Sequence, residues 1–378
     1  MDNVERALRY IDQSLDKLDQ REPVPFRDYL NLISTDPARY LRNVFQVFHD
    51  MVNTYVGRGV DEYPDDPESI GFMHYDCSEL FVEKSDHPFF ADRIFANRLM
   101  NLVESFRSGA QQNKIYIFDG PPGCGKSTFL DNLLRKFEEY ANKEAGLRYE
   151  TVWRLNRRLL GDFRQSAASP VLDKLYRFLS DGDEAGESVP GQYDSAPGFD
   201  PEVYRAEMAE VPANNEYIEV PCPSHDNPIL MIPKAHRGPV IDSLIESDEF
   251  KWNLSSGKEY DWVFRDQPCT ICATLFEALL DRLKSPRAVF QMLYARPSRI
   301  NRRLGRGITV FNPGDGRNRQ DILSNAILQR RINGLLRDSN QVKYIFSRYA
   351  NTNNGVYALM DIKSHNVERI IELHNIIS

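Results

Sequence analysis

Two groups of residues have the types and spacing that chemistry needs. Gly120-Pro121-Pro122-Gly123-Cys124-Gly125-Lys126-Ser127 fits G-x-x-x-x-G-K-[ST] at every fixed position. A triphosphate needs several backbone N–H donors converging on one concavity, and glycines permit this by adopting φ > 0 and leaving no Cβ in the way. Lys126 is expected to set its ammonium on the β- and γ-phosphates of ATP and Ser127 to give its hydroxyl to Mg²⁺. Thr128 is expected to reach the α-phosphate through its hydroxyl or amide. The second group is Cys222 and His225 with Cys269 and Cys272, a C-x-x-H pair and a C-x-x-C pair. Four soft or borderline ligands in such pairs predict a closed, tetrahedral Zn²⁺ site of structural type, with no position left open for water. The competing reading is two buried cysteines and an unrelated histidine.

The elements that must position the phosphate loop are legible on both sides of it. Lys114-Ile115-Tyr116-Ile117-Phe118 predicts a strand, 119–125 is turn material, and 127–140 carries helical spacing through Leu130, Leu133, Leu134 and Phe137. Phosphate-loop chemistry also calls for an acid at the end of a second buried strand, to orient Mg²⁺. Asp361, closing Val356-Tyr357-Ala358-Leu359-Met360, is the candidate, so Lys126 and Asp361 are the expected catalytic pair. Ile362 follows where many ATPases have a glutamate that activates water, and Glu368 and Glu372 are weaker alternatives to Asp361. Arg296, Arg299, Arg302, Arg303 and Arg306 form a basic run that reads as a solvated face or subunit contact before it reads as a phosphate or nucleic acid site.

The 378 residues suffice for two or three folding units, and 41% apolar with 27% charged residues exclude bulk disorder. No apolar stretch approaches the roughly 18 residues of a membrane span, and the start lacks the order of a signal peptide. Five cysteines are too few for a secreted disulfide framework, so a cytoplasmic protein without a membrane partner is expected. The net charge of −8 sits in one place: between Asp181 and Glu210 nine acids face one base, Arg205, and the rest of the chain is balanced. Nucleic acid is therefore not an expected partner.

Spacing predicts a helix through Val4, Leu8, Ile11, Leu15 and Leu18, ended by Glu22-Pro23-Val24-Pro25. A second helix should open at Asp36-Pro37 and bury Leu41, Val44, Phe45, Phe48 and Val52. The predicted organisation is a helical region over 1–85, a P-loop domain beginning over 86–180, an exposed acidic insertion over 181–216 and a β-rich, zinc-stapled insertion over 217–285. The P-loop domain then continues over 286–378. The fold class is α/β, a doubly wound P-loop NTPase domain.

The phosphate loop, Asn43-Val44-Phe45-Gln46 through Tyr63-Pro64-Asp65-Asp66-Pro67-Glu68-Ser69, Pro88-Phe89-Phe90-Ala91-Asp92-Arg93 and Leu359-Met360-Asp361-Ile362-Lys363 together resemble the PrkA family of bacterial serine protein kinases. The resemblance runs over nearly the whole chain. It implies an AAA+ type ATPase module at the N-terminus of a longer protein, using ATP and Mg²⁺ to drive or gate serine phosphorylation of protein substrates. It further implies a chain that stops short of the γ-phosphate sensor strand and helical lid, and assembly into a homo-oligomeric ring. An ATP-dependent switch or remodelling ATPase without kinase activity remains the alternative.

Overall fold

The computed structural model describes residues 22–65, 73–107, 116–160, 217–311, 322–336 and 342–360. The described residues are a mixture of helices and strands, and among them there is no barrel. The larger sheet holds β1 (Val24–Pro25), β2 (Tyr149–Asn156), β3 (Tyr217–Pro221) and β4 (Leu293–Pro297), in the spatial order β1-β4-β2-β3 and antiparallel throughout. Further along are β5 (Ile308–Phe311), β6 (Ile322–Ser324), β7 (Ile345–Ser347) and β8 (Val356–Leu359). β6 pairs antiparallel with β7, and β5 pairs parallel with β8. Among the described residues β5 and β8 are the only parallel strands, and a parallel pair requires a crossover of the kind that separates them here.

The longer helices are α1 (Phe26–Thr35), α2 (Val44–Val56), α3 (Arg93–Arg107), α4 (Lys126–Ala141), α5 (Lys234–Leu244), α6 (Asp248–Ser256), α7 (Thr270–Leu283) and α8 (Ala326–Leu336). Among the described residues none is long and apolar enough to cross a membrane. Two expectations are corrected at the N-terminal side. Val24-Pro25, expected as the end of a helix, forms an edge strand on β4, the place in a sheet where proline is tolerated. The helix expected from Asp36-Pro37 is two: a single turn, Pro37–Tyr40, capped by Asp36 Oδ1, and then α2. Asn43 and Gln46 form a reciprocal capping box that starts α2 afresh, so Leu41 lies between the two helices. The helix expected from Val4 to Leu18, the acidic insertion, and Asp361, Glu368 and Glu372 lie outside the described residues.

The segment 217–285 is not β-rich. After β3 its described residues are mainly helical, because Ser247 caps α6 and Cys269 caps α7 through their side chains. The strand expected over 114–118 also differs over its described part: Tyr116, Ile117 and Phe118 belong to no strand, and Ile117 is 76% exposed.

Apolar side chains bury themselves in two cores. One forms around the antiparallel sheet, with Tyr29, Trp153, Leu155, Leu275 and Leu293, and includes Cys222 and Cys272. The other joins α2, α3 and α4 to the parallel pair through Val47, Val103, Phe129, Leu133, Ile308 and Ala358. Phe129 lies among four rings, with centroids 5.4 Å from Phe81, 5.6 Å from Phe89, 4.9 Å from Phe95 and 5.1 Å from Phe118. This cluster seats the start of α4. Phe129→Ala is expected to destabilise the chain by about 3–5 kcal/mol, read as a lowered urea midpoint.

Candidate functional site

The phosphate loop keeps the local form that its sequence demands. Gly123 and Gly125 have φ of 80° and 83°, in the left-handed region. A Cβ on Gly125 would also stand 3.1 Å from the Phe89 ring, so this position needs glycine twice over. α4 follows directly, with Gly125 at its N-cap and no side chain capping it. No acidic residue stands in its first turn. Its first N–H groups are therefore open, and the helix dipole adds a favourable potential for an anion there.

Lys126 folds back over the loop. Its Nζ donates to Gly120 O at 2.7 Å and Pro121 O at 2.8 Å, and lies 3.6 Å from Cys124 Sγ. Carbonyl oxygens hold the ammonium at the mouth of the loop, a position from which it can exchange those partners for phosphate oxygens. Pro122 and Ser127 are exposed and Thr128 is half-buried, beside the open helix end. Met360, the last described residue of its segment, donates to Phe311 O at 2.8 Å and so extends the β5–β8 ladder to the position before Asp361.

Three of the four expected metal ligands come together, and the fourth does not. Cys222, Cys269 and Cys272 are joined by Asp226, all four ligand atoms lying within 4.8 Å of one another. The Cys222 and Cys269 sulfurs are 3.7 Å apart. Two metal–sulfur bonds of about 2.3 Å at a tetrahedral angle put sulfurs about 3.8 Å apart, so this edge already has the length a bound ion requires. Asp226 Oδ2 lies 3.4 Å from Cys222 Sγ and accepts from Cys269 N–H at 2.7 Å. The amides of Asp226 and Cys272 donate to the sulfurs of Cys222 and Cys269. Such a Cys₃Asp cluster can hold a metal such as zinc.

Hydrogen bonds from the Cys222 and Cys272 thiols hold Cys269 far below an ordinary thiol, whereas burial pushes Cys222 well up. Burial, then the neighbouring Cys269 charge, raise Asp226 to about 7.

His225, expected as the fourth ligand, lies outside this group of four ligand atoms. It stands at φ 54°, with Nδ1 2.7 Å from Glu150 Oε2 and Nε2 buried without a hydrogen-bond partner. Glu150 is fully buried on β2. Burial alone would raise its pKa, but the His225 hydrogen bond and the charges of His225, Arg306 and Arg296 bring it down to about 2. The carboxylate is thus ionised, and the imidazole Nδ1–H donates to it. Glu150 Oε1 accepts from Arg296 Nε at 2.9 Å and Nη2 at 2.6 Å, and from Arg306 Nη2 at 2.8 Å.

Three arginines of the basic run are therefore used within the chain. Arg296 and Arg306 serve Glu150, Arg296 also reaches Glu219, and Arg302 pairs with Asp131 at 2.6 Å on α4. Sequence reasoning missed Asp226 and Glu150. Asp226 directly follows the C-x-x-H pair, and an acid in the middle of Tyr149-Glu150-Thr151-Val152-Trp153 was a signal that a strand there carries a buried charge.

Comparison with family models, curated proteins and solved structures returns no match.

Glu150→Gln removes the anion from between two arginines and a histidine. Unmaking a buried ion pair from one side costs about 3–5 kcal/mol, and the variant is expected to lose stability of that order in chemical denaturation.

Proposed function

We propose that the chain is an ATP-binding module that takes up ATP–Mg²⁺ at the loop 120–128, in a P-loop domain of AAA+ type. One observation carries the reading: a loop with left-handed Gly123 and Gly125 delivers Lys126 to the uncapped N-terminus of a 16-residue helix. In this assignment Gly120, Pro121, Pro122, Gly123, Cys124 and Gly125 wrap the phosphates, and Lys126 neutralises β- and γ-oxygens. Ser127 ligates Mg²⁺, Thr128 reaches the α-phosphate and Asp361 orients the ion through water.

The resemblance to PrkA-type serine kinases supports phosphorylation of serine in protein substrates, driven or gated by the nucleotide, with ring assembly as the accompanying quaternary form. The second reading, an ATP-dependent switch or remodelling ATPase, is favoured by Ile362, which stands where a water-activating glutamate would follow Asp361. Lys126→Ala is expected to weaken binding of a fluorescent ATP analogue with Mg²⁺ by about 10- to 100-fold, the worth of charge-assisted hydrogen bonds. Incubation with γ-labelled ATP separates the two readings. Label on serine that vanishes with Lys126→Ala supports the kinase; free phosphate alone supports the switch.

The cysteine cluster is assigned to structural Zn²⁺, since three sulfurs and one carboxylate suit a thiophilic ion in a site closed by protein. The purified protein should carry about one equivalent of zinc. Asp226→Ala and Cys272→Ser should lose it while His225→Gln retains it, as read by elemental analysis; loss in His225→Gln alone would return the fourth position to the histidine.

A further inference from the structure

The turn between two members of the metal cluster is also what the parallel strands start from. Cys222 and Asp226 flank Pro223-Ser224-His225, so an ion bound by both fixes the turn at each end. Asn353 Nδ2 donates to Ser224 O at 2.9 Å, and Asn354 Nδ2 donates to His225 O at 3.1 Å and to Ser224 O at 3.3 Å. These asparagines immediately precede Gly355 and β8. On the other strand, Arg306 lies two residues before β5 and shares Glu150 with the His225 ring. His225 and Asn354 both hold left-handed backbone, at φ 54° and 53°. Asparagine tolerates such a conformation, whereas for His225 it is less common.

From the strand starts the path to the nucleotide loop is short. Ile308 and Ala358 share one core with Phe129 and Leu133 of α4. Just before β5, Ile300 exchanges hydrogen bonds with Asn142, and Arg302 pairs with Asp131. The helix that presents Lys126 is thus held to the segment that the turn anchors.

We propose that the metal at Cys222, Asp226, Cys269 and Cys272 is a clamp that fixes the starts of β5 and β8 through Ser224 and His225, so that the metal-loaded protein is the form competent to bind nucleotide. This rests on the nucleotide and zinc assignments above. Linkage makes the effect reciprocal: nucleotide tightens the metal by the same factor as metal tightens the nucleotide.

The test uses hydrogen exchange and nucleotide titration on the full chain, loaded with Zn²⁺, stripped by chelator and reloaded. Stripping should speed amide exchange over 306–311 and 354–360 and weaken a fluorescent ATP analogue with Mg²⁺ by about fivefold or more, and Zn²⁺ should restore both. Asn353→Ala/Asn354→Gly removes the side-chain bonds while glycine tolerates the left-handed backbone. The double variant should keep its zinc, show fast exchange over 354–360 even when loaded, and have a nucleotide affinity that no longer responds to chelator. It also decides the matter if stripping unfolds the wild type. Exchange unchanged at both segments after complete metal loss overturns the clamp, as does a chain that takes up no zinc. Exchange that responds to metal in a chain that binds no nucleotide supports the clamp and strikes the nucleotide assignment instead.

Discussion

A single buried carboxylate holds the two halves of this structure in register. Glu150 sits without solvent exposure in the central strand of the antiparallel sheet and accepts from Arg296, Arg306 and His225. Each donor comes from a different place: the adjacent strand β4, the approach to β5, and the turn of the cysteine cluster. An ion taken out of water is costly unless its partners are close and well directed. Four donor contacts on the two oxygens meet that requirement and at the same time dictate where three segments must lie. Arg296 and Arg306, which read in sequence as part of a solvated face or subunit contact, here fasten Glu150 from within.

Around that fastening the two cores divide the work. The sheet core contains Cys222 and Cys272 and holds the cluster's sulfurs together, while the helical core seats the start of α4 on Phe129 and the parallel pair. Neither candidate site depends on a large pocket. The loop offers backbone donors at an open helix end, and the cluster offers sulfurs already at the separation that a tetrahedral ion requires. Both are preorganised by glycine or capping geometry rather than by a wall of side chains.

The tight turn of 120–125, α4 and the helix start at the C-x-x-C of α7 were legible in the linear sequence because their determinants are local. Gly123 and Gly125 permit the left-handed backbone that the turn uses, and two residues between cysteines at a helix start place both sulfurs on one side. The break before α2 was also written locally, in Asn43 and Gln46, but a capping box is easily read through as continuous helical spacing.

Other features belong to the tertiary structure alone. Val24-Pro25 becomes a strand only because β4 offers an edge, and 234–265 is helical although its short apolar runs read equally well as strands, an ambiguity that packing resolves. His225 and Asp226 are neighbours that both suit a metal. Asp226 joins the thiols, while Nδ1 of His225 meets the buried Glu150, 75 residues away in the chain. The sequence by itself determined which residue types were available at each turn and helix start, since backbone sterics and capping act over a few residues. The choice among them was made by a desolvated charge, which must be met by whatever donors the fold brings within reach, and that is a property of the folded chain.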